Sequence, residues 1–142
     1  MTELTDEQIK AEDAFLKGLP RFNIGAFLMP PIWGPAHGIW VTILYYPAWL
    51  LIDNLLYATW ENPTPLAIIL SVLAVLIALG ITIAFAIVSQ PFAAHRAEEK
   101  GVSRAKYLSN ERKWAVISAI IAIVMLVLAT VYNLNVRPFV GE

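Results

Sequence analysis

Few residues in this chain are of a type and placement that could do chemistry, and four stand out: Asp53, His37, Trp33 and Gly34. Asp53 is the one acidic residue inside an apolar run, and an ionisable group at hydrocarbon depth is by default a proton or cation relay. Asn54 and Tyr57 are its nearest candidate partners. It also lies seven residues before Trp60, ~10 Å along a helix. No second charge sits in another span, so the favoured expectation is an interfacial carboxylate bonded to its neighbours. His37 and His95 could both face one interface and share a metal, but His37 has no His, Glu or Asp partner at i+3 or i+4 and the chain has no cysteine. Packing is the expected role for both histidines, with no metal and no cofactor. Arg96, Lys100, Arg104, Lys106, Arg112 and Lys113 form a basic block interspersed with Glu98, Glu99 and Glu111. It reads either as a surface for anionic lipid or a protein partner, at about 1 kcal/mol per cation, or as a topology signal alone, the reading slightly preferred. No Ser/His/Asp pattern, phosphate-cradling glycine loop or HExxH helix is present, and the expectation is a protein that is not an enzyme.

The elements that must position these residues are set by composition. Hydrophobic residues make up 58% of the 142 and charged residues 15%, against roughly a quarter charged in soluble domains, and the mean hydropathy is +0.64. The expected fold class is an all-α integral membrane protein with three transmembrane helices, preceded by a short N-terminal helix and an interfacial Pro/Gly-rich segment. The lead-in, residues 1–21, is polar, does not read as a secretory signal, and carries helix punctuation. Thr5 and Gln8 form a capping box, Leu4 and Ile9 a hydrophobic staple, and Gly18 and Pro20 a stop. A helix over Asp6 to Lys17 is expected, solvated and touching the membrane surface.

Residues 22–37 belong to the stretch FNIGAFLMPPIWGPAHGIW, too broken for a regular helix and too apolar for an ordinary loop. Irregular backbone must avoid lipid at hydrocarbon depth, so an interfacial aromatic wedge is expected, with a re-entrant segment as the alternative. Span one is expected over residues 38–60, kinked at Pro47. Span two covers 66–89, an uncharged run longer than the roughly twenty residues needed to cross. Its small residues Ala74, Ala78, Gly80 and Ala84 are expected to pack within the chain rather than along a dimer seam. Residues 90–113 read as a basic cytoplasmic loop, 114–132 as span three and 133–142 as an external tail ending in water. Lys and Arg number six in the 90–113 segment, three in the lead-in, none between spans one and two and one in the tail. The positive-inside rule then gives N-in, C-out.

The segment Asn23 to Gly38 resembles the hallmark of a group of small, uncharacterised bacterial membrane proteins, which carry Asn-Trp-Gly-Ala-Phe, then Ile-Trp-Gly, then a transmembrane helix. The match is at Gly25, Ala26, Phe27, Ile32, Trp33 and Gly34, with Ile24 in place of Trp and with Pro30 and Pro31 as departures. The stretch from Ala94 through Tyr107 to Trp114 is similar to that group's basic segment ending in Lys-Trp. The resemblance covers about a quarter of the chain. It implies a multi-pass protein of the bacterial inner membrane with no assigned activity, and transfers no catalytic residue.

These readings converge on a small multi-span protein that acts through contacts, as accessory subunit, scaffold or regulator of a membrane assembly. Its expected partners are the lipid bilayer and either another protein or further copies of itself, with nothing pointing to nucleic acid. The alternative is a protomer of an oligomeric channel or transporter that uses the broken Phe22 to Trp40 segment and Asp53.

Overall fold

In the computed structural model, which describes residues 3–140, every regular element is helical. Met1 and Thr2 of the lead-in and Gly141 and Glu142 of the tail lie outside the described residues. Six α-helices follow in order: α1 (Asp6–Leu16), α2 (Ile24–Leu28), α3 (Pro30–Ala36), α4 (Tyr45–Glu61), α5 (Pro65–Glu99) and α6 (Arg104–Asn135). A 3₁₀ segment, Trp40–Leu44, leads into α4, and another, Arg137–Phe139, follows α6. Three helical stretches, Trp40–Glu61, Pro65–Glu99 and Arg104–Phe139, are long and apolar enough to cross a membrane.

The two longest helices are much longer than their apolar runs. At about 1.5 Å per residue α5 extends roughly 52 Å and α6 roughly 48 Å, against a hydrocarbon core of ~30 Å. The segment 90–113 is therefore not a loop. α5 continues to Glu99 and α6 begins at Arg104, capped by Ser103 Oγ, which accepts the Lys106 N–H at 3.3 Å. Only Lys100 to Ser103 turns the chain, with Gly101 at φ +74°. Glutamates, lysines, arginines and alanines favour helix, so the polar composition marks where the hairpin leaves the apolar run rather than where helix ends.

Residues 22–40 fold on this hairpin. α2 packs against both α5 and α6, and α3 follows at once. Asn23 caps α2, its Oδ1 accepting the Ala26 N–H at 2.8 Å. Pro30 and Pro31 occupy the first turn of α3, where no intrahelical donor is needed. The prolines that made this stretch look broken thus start a helix. The result is two short helices packed on the hairpin, with Trp33 fully buried. Ala26, Trp33, Ala93, Ala94 and Tyr107 form the core of this head, the best-packed part of the molecule.

Helix α1 also rests on protein. Both halves of the Thr5–Gln8 capping box are formed. Arg104 donates to the Phe15 and Lys17 carbonyls at 2.9 and 3.2 Å and lies 4.7 Å over the Phe15 ring. His95 stacks on Phe15 at 3.8 Å and reaches Glu12 at 2.9 Å. The lead-in helix is therefore docked on the hairpin through Phe15, the aromatic that lies off its apolar stripe, instead of simply touching a membrane surface.

Two corrections concern the spans. Helix α4 begins at Tyr45, so Pro47 falls in its first turn, where the missing N–H breaks no bond and forces no kink. In α5, Ala74 and Ala78 are half-buried within the chain, whereas Gly80 and Ala84 are exposed and a Cβ on Gly80 would meet nothing within 4 Å, so only part of the small-residue row packs within this chain.

Candidate functional site

The head is organised around one carboxylate. Glu111 lies on α6, three residues before the apolar run that starts at Trp114, and its two oxygens accept hydrogen bonds from three side chains of the N-terminal segment. Oε2 accepts from Asn23 Nδ2 at 2.7 Å and from the Trp33 indole at 3.0 Å, and Oε1 lies 2.7 Å from His37 Nε2. The second Asn23 amide hydrogen goes to Gln90 Oε1 at 2.6 Å, and the Asn23 backbone N–H to the Ala86 carbonyl at 3.0 Å. Tyr107 donates to Gln90 at 3.3 Å. Every one of these groups is buried or largely so, and each of these side-chain bonds joins one element to another.

Local structure explains the convergence. Trp33 and His37 are four apart at the end of α3, so they share one face, and their rings stack at 3.9 Å. Trp114, one turn beyond Glu111, meets the His37 ring edge-on at 5.5 Å. Gly34 lies buried between them and the 3₁₀ segment; a Cβ there would strike the Thr42 hydroxyl and come within 2.8 Å of the Ile39 carbonyl. Gly25 is nearly as tight, since a Cβ there would stand 2.9 Å from the Trp33 ring.

The protonation of this site follows from its partners. His37 Nδ1 lies 2.7 Å from the Trp33 carbonyl, which only accepts, so Nδ1 carries a hydrogen. The short Nε2 to Oε1 contact then needs a proton of its own, and the His37–Glu111 pair as a unit is neutral. Burial pushes the Glu111 carboxyl up, but the bonds from His37, Asn23 and Trp33 and the nearby charge of His37 outweigh it and hold it below the ordinary carboxylate value. Burial raises the Tyr107 phenol far above its ordinary value, and the Glu111 charge adds to this while Arg104 opposes it, so Tyr107 acts only as a neutral donor. The chemistry this arrangement performs is that of a latch: acceptors and donors are consumed on one another.

Set against family models, curated proteins and solved structures, the chain matches none of them.

Of the residues singled out in the sequence, the structure brings His37, Trp33 and Gly34 together and leaves Asp53 at the opposite end of the spans. There Asp53 has the charged partner that the spans themselves lacked. Arg137, from the segment after α6, donates to it at 3.0 Å and Asn133 donates at 2.7 Å. Arg137 also bonds Asn54 and lies 4.0 Å over the Tyr57 ring. Asn133 and Arg137 thereby tie the start of the 133–140 segment to α4, while Phe139 and Val140 at its end are exposed. His95 joins neither cluster. Among the described residues no group of three His, Cys, Asp or Glu could hold a metal ion. The six cations separate as well: Arg104 holds α1, Arg96 and Lys100 line the edge of a cavity beside His37 while remaining exposed, and Lys106, Arg112 and Lys113 are exposed away from it.

Sequence reasoning missed Asn23, Gln90, Tyr107 and Glu111. Glu111 had been read only as diluting the basic block. One signal was available: Gln90 and Glu111 are polar residues within four positions of the ends of apolar runs, on helices that had to continue past the hydrocarbon for the two to face each other.

Proposed function

We propose that this protein works through contacts inside a membrane, as an accessory subunit, scaffold or regulator of a larger assembly or of its own oligomer. The observation that carries this reading is how little the three spans bury. No Leu, Ile, Val or Phe of the three apolar runs is buried; the buried positions there are Thr42, Ser71, Ala86, Ser89 and Ser118. In lipid, helices associate by van der Waals packing and interhelical hydrogen bonds. Spans that share so little packing leave faces for lipid and for other helices, and Gly80 on α5 is one place where another backbone fits closely. The latch around Glu111 supports the same reading, because its polar groups hold the head together and leave none directed at a substrate.

The placement that goes with this function is the inner membrane of a bacterium, with the N-terminus and the hairpin turn at Gly101 in the cytoplasm and the C-terminus outside. The excess of Lys and Arg at the hairpin end supports it, as does the resemblance to the bacterial group at Gly25–Phe27 and Ile32–Gly34. The test is the mass of the protein gently extracted from its native membrane, with identification of what travels with it. A defined complex with other subunits, or a discrete homo-oligomer without transport activity, is the expected result. A homo-oligomer that conducts ions or solutes after reconstitution would overturn the reading in favour of a channel or transporter.

A further inference from the structure

Beside the latch, a cavity of about 160 Å³ opens between the end of α3 and the α5–α6 hairpin. Arg96 and Lys100, one turn apart on α5, line it together with Ala93, Ala97, Asn110 and Trp114. Among the described residues neither cation has an ion-pair partner. The Arg96 guanidinium lies against Gly38. That glycine has φ +84°, and a Cβ on it would collide with the guanidinium. The other titratable groups facing the cavity are His37, Tyr107 and Glu111. The first and last neutralise each other, and Tyr107 is an uncharged phenol, so two positive charges are left over.

The cavity also has a defined level. The first apolar span starts at Trp40, the second apolar run ends at Ser89 and the third starts at Trp114. One end of each of the three apolar runs therefore lies near it. Arg96 lies seven residues past Ser89, ~10 Å along the helix, and Trp114 forms part of the wall, as tryptophans do at the headgroup layer. A phosphate with an apolar neighbour on one side is what this level of a bilayer presents.

We infer that the cavity is a headgroup site for an anionic phospholipid, with Arg96 and Lys100 binding the phosphodiester and the Ala93–Ala97–Trp114 wall taking the adjoining apolar surface. This inference depends on membrane embedding and not on whether the protein is an accessory subunit. A guanidinium offers paired donors to phosphate oxygens, while the lysine adds a mobile point charge at the cavity's edge.

The experiment uses the full-length protein in a neutral detergent, with bound lipid counted by native mass spectrometry and thermal stability followed in parallel. Phosphatidylglycerol, phosphatidylcholine and sodium phosphate are the three probes. One phosphatidylglycerol per chain is expected, preferred at least tenfold over phosphatidylcholine, with no comparable stabilisation by sodium phosphate. The double variant Arg96→Gln/Lys100→Gln should weaken it about tenfold or more, and Lys106→Gln/Lys113→Gln, which removes the same charge from positions that do not line the cavity, should leave it within twofold. Lys100→Gln alone, altering an exposed side chain, should weaken it severalfold and serves if the Arg96 variant does not fold. Equal losses in the two double variants, no preference for the anionic lipid, or equal protection by sodium phosphate would each overturn the site.

Discussion

At the residue scale, the role of Glu111 is argued from the three donors it satisfies. Glu111→Ala strands the Asn23 amide, the Trp33 indole and the His37 imidazole in a buried place, and breaking a buried, hydrogen-bonded charge costs about 3 kcal/mol or more. Glu111→Gln is expected to cost only about 1 kcal/mol, since the amide oxygen still accepts from Asn23 and Trp33. Its NH₂ can donate to His37 Nε2 once that imidazole is neutral. Denaturation midpoints of the two variants in detergent separate these outcomes, and equal losses would sink the argument. The same carboxyl sets a pH dependence. Because its folded value is depressed, its contribution is fully present above the ordinary carboxylate range and is lost as pH falls through the depressed value. The stability difference between wild type and Glu111→Gln should therefore shrink on acidification below about pH 4.5, measured as Tm across a pH series. Asp53 and Arg137 make the matching case at the other end. Their pair is partly exposed, so a double-mutant cycle with Asp53→Asn and Arg137→Gln should give a coupling of roughly 0.5–1 kcal/mol. Additive losses would mean that the pair is not energetically linked.

At the scale of elements, the head depends on α3 and the 3₁₀ segment folding back on each other at Gly34. The Thr42 hydroxyl donates to the Ile39 carbonyl at 2.8 Å, in the place a Cβ on Gly34 would need. Gly34→Ala should destabilise by about 2 kcal/mol through overpacking, and Thr42→Ala in the same background should recover part of that loss in thermal melts. A neutral Gly34→Ala would mean that the two segments are not in close contact. Pro91, inside α5, belongs to the same picture. It cannot donate to the Ile87 carbonyl one turn back, and the neighbouring Ala86 carbonyl accepts the Asn23 backbone N–H at 3.0 Å. That turn of α5 is thus a docking point for the segment that begins α2.

At the scale of the whole molecule, a packed polar-and-aromatic head contrasts with loosely associated spans. Only 6% of each apolar window is buried, and the α4–α5 pair is joined near its turn by Thr59 and Ser71, whose hydroxyls lie 2.7 Å apart. Stability of the isolated chain should therefore reside in the head, while assembly resides in the spans. Gly80→Leu puts a large side chain into open space on α5, so it should leave the unfolding free energy of the detergent-solubilised chain within ~0.5 kcal/mol of wild type while reducing the mass of the complex extracted from membranes. An unchanged mass would show that this face of α5 meets only lipid.

The sequence by itself determined that the chain is helical and has three stretches able to cross a membrane, because an uncharged run such as Leu66–Ser89 has few other physical options. It also marked the ends of α1 through Thr5, Gln8 and Gly18, since caps are local. What the sequence left open was everything that depends on partners distant in the chain. Pro30 and Pro31 read as breakers until the helix they start was seen to pack on α5 and α6, and the 90–113 block read as a loop until two polar helix ends were seen to hold each other. Glu111 passed for a surface charge, and Arg137 for part of a free tail, because a charge's meaning lies in the groups facing it. Those groups are 74 to 88 positions away for Glu111 and 84 for the Arg137–Asp53 pair, and only the tertiary fold brings them together.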